Sequence, residues 1–210
     1  MTATATVAAP SRRRENTRTR LMDAAAEMFA EVGIDAASVE AVCERAGFTR
    51  GAFYSNFASK EELFLALCAR SAETTIGAVR ERVTSIEDRG FDAAGDVMQL
   101  VQEVLEVTGE DRLDVLLGAE TRLQALRNPE FAEAYLALGQ GLGQSVTQLV
   151  TDIAAARGLS LRIPAEAATD LLLSVWVSAS ETALLTNQDQ AGARRYLAER
   201  LSQTVGLILE

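Results

Sequence analysis

The chain contains no histidine. That absence excludes histidine-based catalytic triads, the usual zinc ligand sets and a histidine pH switch. Cysteine is almost as scarce: Cys43 and Cys68 are the two. Both fall on apolar helical faces, so they read as small buried hydrophobes in a reducing compartment. A redox switch would need a resolving partner or a basic cluster near one of them, and the sequence places neither there. No apolar run approaches the ~20 residues that span a bilayer. No segment sustains the two-residue alternation of a half-buried strand. The opening MTATATVAAPSRRR carries its basic cluster after a weak apolar stretch, the reverse of secretory signal order. The expected location is therefore the cytoplasm, with no metal and no cofactor.

What is present is apolar residue at helical spacing. Hydrophobic residues make up 48% of the 210, enough to bury a sizeable core in one or two domains. Leu21, Ala25, Met28, Phe29 and Val32 share one face of a helix over 18–32, closed by Gly33. Further helices are expected over about 59–84, 92–107, 113–126, 130–156, 165–185 and 191–209. They are separated by breakers at Asp88-Arg89-Gly90, Thr108–Asp111, Asn128-Pro129, Arg157-Gly158 with Pro164, and Asn187–Gln190. With the two short helices described next, the fold class is all-α with about nine helices.

The segment from Ser38 to Glu62 says most about function. Ser38 precedes Val39, Val42, Cys43 and Ala46, an apolar set at helical spacing behind a serine N-cap. Gly47 stands where a left-handed residue ends a helix. Thr49 can cap a second short helix from Arg50 to about Phe57. Ala52, Phe53 and Phe57 can face inward, leaving Arg50, Tyr54, Ser55 and Asn56 outward or at the rim. Gly51 and Ala52 keep that helix slim enough for close approach. An outward tyrosine among polar side chains suits contact with phosphates and base edges. Ser59 and Glu62 form a capping box for a third helix. Lys60 in its first turn is disfavoured by the helix dipole, so its placement suits a phosphate. A helix-turn-helix shape alone is shared with domains that bind no DNA, and fold does not fix function.

The run GFTRGAFYSNFASKEELF resembles the amino-terminal signature of TetR/AcrR-type bacterial transcription regulators. The small residue, tyrosine, polar pair, aromatic and Ser-Lys-Glu-Glu-Leu run agree together. The resemblance covers about 15–70. It implies a helix-turn-helix DNA-binding domain over 15–70 (motif 38–57) and a ligand-binding and dimerisation domain over 71–210. Residues 1–14 would form a flexible basic arm, whose Arg12, Arg13 and Arg14 either reach DNA or are simply solvated. The implied function is a repressor that binds an inverted-repeat operator as a homodimer and is released by a small-molecule effector. The candidate DNA-binding set is Ser38, Thr49, Arg50, Gly51, Ala52, Tyr54, Ser55, Asn56 and Lys60. Arg50, Ser55 and Asn56 are the candidates for base edges.

A net charge of −10 looks wrong for such a partner, but its distribution matters more. Residues 1–60 carry a net +1 and residues 61–210 a net −11. An acidic body would orient the small domain toward DNA.

The carboxyl-terminal two thirds are less specific. Residues 171–185 are apolar nearly all round, so that helix must be covered on every side. One side is expected to meet its own chain and the other a second copy, through Leu172, Val175, Leu184, Leu197, Leu201, Val205 and Ile208 in a four-helix interface. Tyr135, Trp176, Met98 and Phe131 are the candidate effector contacts, although each also fits plain core. The glycines of GQGLGQ (139–144) lack a preceding strand and the final glycine of a nucleotide loop. They read as small residues that let helices approach, or as a kink. No nucleophile, base and orienting residue can be assembled, so catalysis is not expected. The competing class is a helical adaptor that binds other proteins and ignores DNA.

Overall fold

A computed structural model describes residues 12–87, 97–108, 112–156 and 158–210. Among the described residues there are nine helices: α1 (Arg12–Val32), α2 (Val39–Ala46), α3 (Arg50–Tyr54), α4 (Lys60–Glu87), α5 (Val97–Thr108), α6 (Arg112–Arg127), α7 (Pro129–Ala156), α8 (Ala165–Leu185) and α9 (Gln190–Ile208). The all-α expectation holds. The only extended pairing in these residues is an isolated bridge between Leu161 and Leu209. The chain divides into two compact units, residues 1–67 and 68–210. The expected breakers at 88–90 and 109–111, residue 157 and the first eleven residues of the proposed arm lie outside the described residues.

The first unit closes on a small aromatic core. Leu21, Ala25 and Phe29 of α1 are almost fully buried, as are Val42, Phe53, Phe57, Leu63 and Phe64 from the segments that follow. Phe29 meets Phe64 edge-on, with ring centroids 5.1 Å apart, the geometry that aromatic quadrupoles prefer. Ser38 caps α2 by accepting the Ala41 N–H at 3.1 Å. Gly47 ends it at φ 72°, its N–H reaching back to the Cys43 and Glu44 carbonyls. Arg45 forks onto both oxygens of Glu31 at 2.9 and 2.8 Å, tying α2 to α1. That guanidinium holds the Glu31 carboxyl below its ordinary value. Ser59 caps α4 by accepting the Glu62 N–H at 3.1 Å, and Glu62 reaches back to the Ala58 N–H at 2.6 Å.

α1 begins at Arg12, so Arg12, Arg13 and Arg14 form its first turn instead of an arm. The run RRRENTRTR contains no proline or glycine to stop the helix, and Glu15 in the first turn suits its amino end.

The second unit is organised around α8 and α9. Ala179 and Ala183 of α8, Leu197, Ala198 and Leu201 of α9, and Val101 and Leu105 of α5 form one buried cluster, with Leu172, Val175, Trp176, Tyr196 and Val205 partly buried around it. Leu197, Leu201 and Ile208 are therefore interior to their own chain, which corrects their assignment to a partner-facing surface. The α9 stripe 197, 201, 205 and 208 is the face turned toward its own chain. Arg82 of α4 pairs with Glu103 and Glu106 of α5, and Arg122 of α6 pairs with Glu181 of α8. Asn128 caps α7, its Oδ1 accepting the N–H groups of Glu130 and Phe131 at 3.0 and 3.3 Å. Pro129 follows at the first helical position, where a missing N–H costs nothing.

α7 runs through 139–144 as helix, and a Cβ built on Gly139, Gly141 or Gly143 meets nothing within 4 Å. Among the described residues no neighbour comes within 4 Å of these positions, so they do not mark a close helix approach within the chain.

Gly47→Ala should destabilise the protein by about 1–2 kcal/mol, because an L side chain at φ 72° opposes the left-handed conformation. Urea unfolding followed by circular dichroism measures the loss, with the folded spectrum unchanged.

Candidate functional site

α3 is held by its neighbours far more than by its own backbone. Five residues make too short a helix to persist alone. Thr49 caps its start by accepting the Ala52 N–H at 3.3 Å. It stops earlier than the expected Phe57 because Ser55 Oγ and Asn56 Nδ2 both donate to the Ala52 carbonyl, at 2.9 and 2.8 Å. Short polar side chains there replace the helical ladder with local bonds. Phe53 and Phe57 anchor the inner side and are fully buried.

The carboxyl end of this turn is fixed from α1. Arg14 donates to the Ser55 carbonyl at 3.0 Å, and Arg18 to the Asn56 carbonyl at 2.8 Å. The Arg18 guanidinium also lies 4.1 Å over the Phe57 ring. Arg20 serves α2 in the same way, donating to the Ala46 carbonyl at 2.8 Å and covering Phe48. Cations at helix carboxyl ends meet unpaired carbonyls and the negative end of the dipole. The sequence reading left Arg14 either to DNA or to solvent, gave Arg18 and Arg20 no role, and missed this one. The signal was present: Arg14 and Arg18 continue, at helical spacing, the same stripe as Leu21, Ala25 and Phe29.

The outward face carries Thr49, Arg50, Gly51, Tyr54 and Ser55, with Ala52 half-buried. Tyr54 is 51% exposed, supported edge-on by Phe53 at 5.3 Å. Arg50 pairs with Glu40 of α2 at 2.6 Å and lies 5.8 Å from the Tyr54 ring centre. Ser38 belongs to α2 and its hydroxyl is occupied as a cap.

Two expected contacts fall elsewhere. Asn56 is 8% exposed and its amide nitrogen is bonded within the turn, so it does not present a base-reading edge. Lys60 is half-buried and donates to the Asp35 and Ala37 carbonyls at 3.3 and 3.0 Å. Those carbonyls precede α2, and an ammonium ion is the donor that satisfies them. The cation thus serves the fold against its own helix dipole, which explains its position without a phosphate.

Of the candidate effector residues, Tyr135 is the one that lines the groove between α7 and α8. Phe131 is buried in its unit. Trp176 packs on the α5–α8–α9 cluster. Tyr135 lines an open groove of about 740 Å³ between α7 and α8, with Gln140, Gln144, Glu166 and Asp170. Met98 lies on α5, and its side chain is outside the described residues. α6 turns Leu117, Thr121 and Gln124 inward, and Thr121 meets Cys68 at 3.3 Å. Burial pushes the thiols of Cys43 and Cys68 up, which keeps them protonated and poorly nucleophilic. No group of acidic and cysteine side chains that could hold a metal occurs among the described residues.

Arg18→Ala should cost about 2 kcal/mol, from a charged hydrogen bond and the stacking on Phe57. Urea unfolding reports the loss. Amide exchange should quicken selectively over residues 50–57, because α3 loses its carboxyl-end support.

Residues 21–67 match the model of the bacterial regulatory proteins, tetR family. The chain is 30% identical over 116 residues to the transcriptional regulator UidR of Escherichia coli K12, covering 55% of each. It thus spans about half the length of the curated relatives it matches. GusR of Salmonella enterica has a similar structure, with 27% identity, a TM-score of 0.70, and coverage of 92% of this chain and 95% of that one. A putative TetR-family transcriptional regulator from Mesorhizobium loti shares the fold at a TM-score of 0.71 and 18% identity, covering 94% and 99%. Residues 21–67 thus carry the tetR-family match, and the chain shares the all-helical fold of those neighbours.

Proposed function

We propose that this protein is a DNA-binding transcription regulator that recognises an inverted-repeat operator as a homodimer. The observation that carries the reading is the outward face of α3. A helix too short to stand alone is fixed at both ends and anchored inside by two phenylalanines, yet it exposes Tyr54, Arg50, Thr49 and Ser55 around a glycine. That arrangement has the size and chemistry of a major-groove reading head. Thr49 and Tyr54 hold phosphates, and Arg50 and Ser55 reach base edges. Arg12 and Arg13, exposed in the first turn of α1, add electrostatic attraction. The tetR-family match over this domain and the likeness to UidR support the same reading. The matching domains of such regulators make catalysis unnecessary to explain any feature of the site.

One such head contacts few bases, so a two-fold pair is needed for affinity and for half-site spacing. Leu171, Val177 and Leu185 of α8 and Leu207 of α9 are exposed at 48%, 36%, 84% and 75%. A second copy covering them would complete the four-helix packing that an apolar α8 requires. These residues replace the buried members of the set expected from sequence. The reading extends to a small-molecule effector in the second unit that binds the DNA-free state more tightly and so releases the operator. Repression is the mode this release implies.

Tyr54→Ala should weaken binding to a selected operator at least tenfold while leaving a folded dimer, as measured by gel-shift titration. The affinity of the unsubstituted protein should fall steeply with salt. Unchanged affinity in the variant would count against the assigned face. Substituting Leu171 and Leu185 together by Glu should convert the dimer to monomer in sedimentation velocity and abolish operator binding. A dimer that survives both charges would place the interface elsewhere.

A further inference from the structure

Glu40 sits in the first turn of α2, beside the outward face of α3. Its Oε1 lies 2.6 Å from Nη1 of Arg50. The two side chains are 57% and 61% exposed, so the pair contributes little to stability. Its effect is geometric. An arginine at the start of an exposed turn samples many rotamers when unpaired. Here the carboxylate grips one nitrogen while the Tyr54 ring lies 5.8 Å from the guanidinium carbon. The same guanidinium also makes a side-chain hydrogen bond with Tyr54. Gly51 comes next in the chain, and a Cβ built there meets only Thr49 Oγ1, at 3.8 Å. Among the described residues nothing requires a glycine at that position, and the space beside it is open.

We propose that Glu40 is a positioning residue for sequence discrimination, orienting the Arg50 guanidinium to donate two hydrogen bonds to a guanine edge in the major groove. The inference rests on the DNA-binding reading above and adds a base and a buttress to it. Guanine presents O6 and N7 as paired acceptors, and a planar guanidinium matches them bidentately where an ammonium does not. A carboxylate on a face that meets phosphate repels DNA in general. Its presence there is explained if it exchanges some affinity for a fixed arginine.

The test uses the full chain and its Glu40→Gln, Arg50→Ala and Arg50→Lys variants. Each is carried through selection from randomised duplexes, then titrated on the selected site and its single-base variants over a salt series. The unsubstituted protein should demand guanine at one position of each half-site. Arg50→Ala should erase that preference, and Arg50→Lys should weaken it by about tenfold or more. Glu40→Gln should weaken it about fivefold at that position alone, with the salt slope and the other positions unchanged. Both residues are exposed, so circular dichroism melts should stay near the parent's. The inference is overturned if Glu40→Gln keeps full discrimination, or if it raises affinity for every sequence equally, as removal of simple repulsion would. A parent protein that binds no duplex at low salt would instead remove the DNA-binding reading on which the inference stands.

Discussion

The contact between Arg18 and the end of α3 governs everything presented on that helix. Arg18 satisfies the Asn56 carbonyl and covers the Phe57 ring at once. Five helical residues cannot offset the entropy of nucleation by themselves. The burial of Phe53 and Phe57 sets which way α3 faces, and the α1 arginines set where it ends. Without them the turn would retain its hydrophobic anchors and lose the alignment of its carboxyl end. The direction of Tyr54 and Arg50 therefore depends on a residue that is more than thirty positions away in sequence.

This explains which parts of the site were legible. Ser38, Gly47, Thr49 and Ser59 announce their structural roles through identity and position, because capping is local and each residue type has one good reason to be there. The inward Phe53 and Phe57 followed from spacing. Asn56 and Lys60 did not: Asn56 turns its amide back onto the Ala52 carbonyl one turn earlier, and Lys60 bonds a carbonyl that only the folded chain brings within reach. Cations are ambiguous in the same way. Lysine and arginine satisfy phosphates and orphan carbonyls with the same donors, and sequence does not say which partner is nearer. Glu40 carried no signal at all, as its pairing with Arg50 crosses the turn between two helices.

The second unit was legible in its helices but not in its surfaces. Apolar residue on every side of α8 called for cover on every side, yet it did not say which leucines face inward. The small residues decided that. Ala179 and Ala183 line the seam with α9, where alanine admits close helix packing, and the bulkier Leu171, Val177 and Leu185 are left outside. Glycine proved a poor guide. Gly139, Gly141 and Gly143 suggest close approach by composition, while the space beside each is open. Effector contacts remained illegible because aromatic residues in a helical unit serve core and cavity with the same chemistry.

The disposition of charge ties the two units together on the proposed reading. Arg18, Arg20, Arg45 and Lys60 are committed to carbonyls or carboxylates within the chain. Few cations of the small unit are thus left to meet a polyanion, and residues 61–210 add a net −11 against it. Each neutralised phosphate contributes to affinity through counterion release, so a single copy with so few outward cations would bind weakly. Doubling the head brings the number of contacts into a useful range without relaxing the internal caps that hold α3 straight. The exposed leucines of α8 and α9 and the sparse basic face of α3 are then two consequences of one constraint. Arginines that build a precise reading head are no longer available to hold DNA, and the proposed second copy would supply what they cannot.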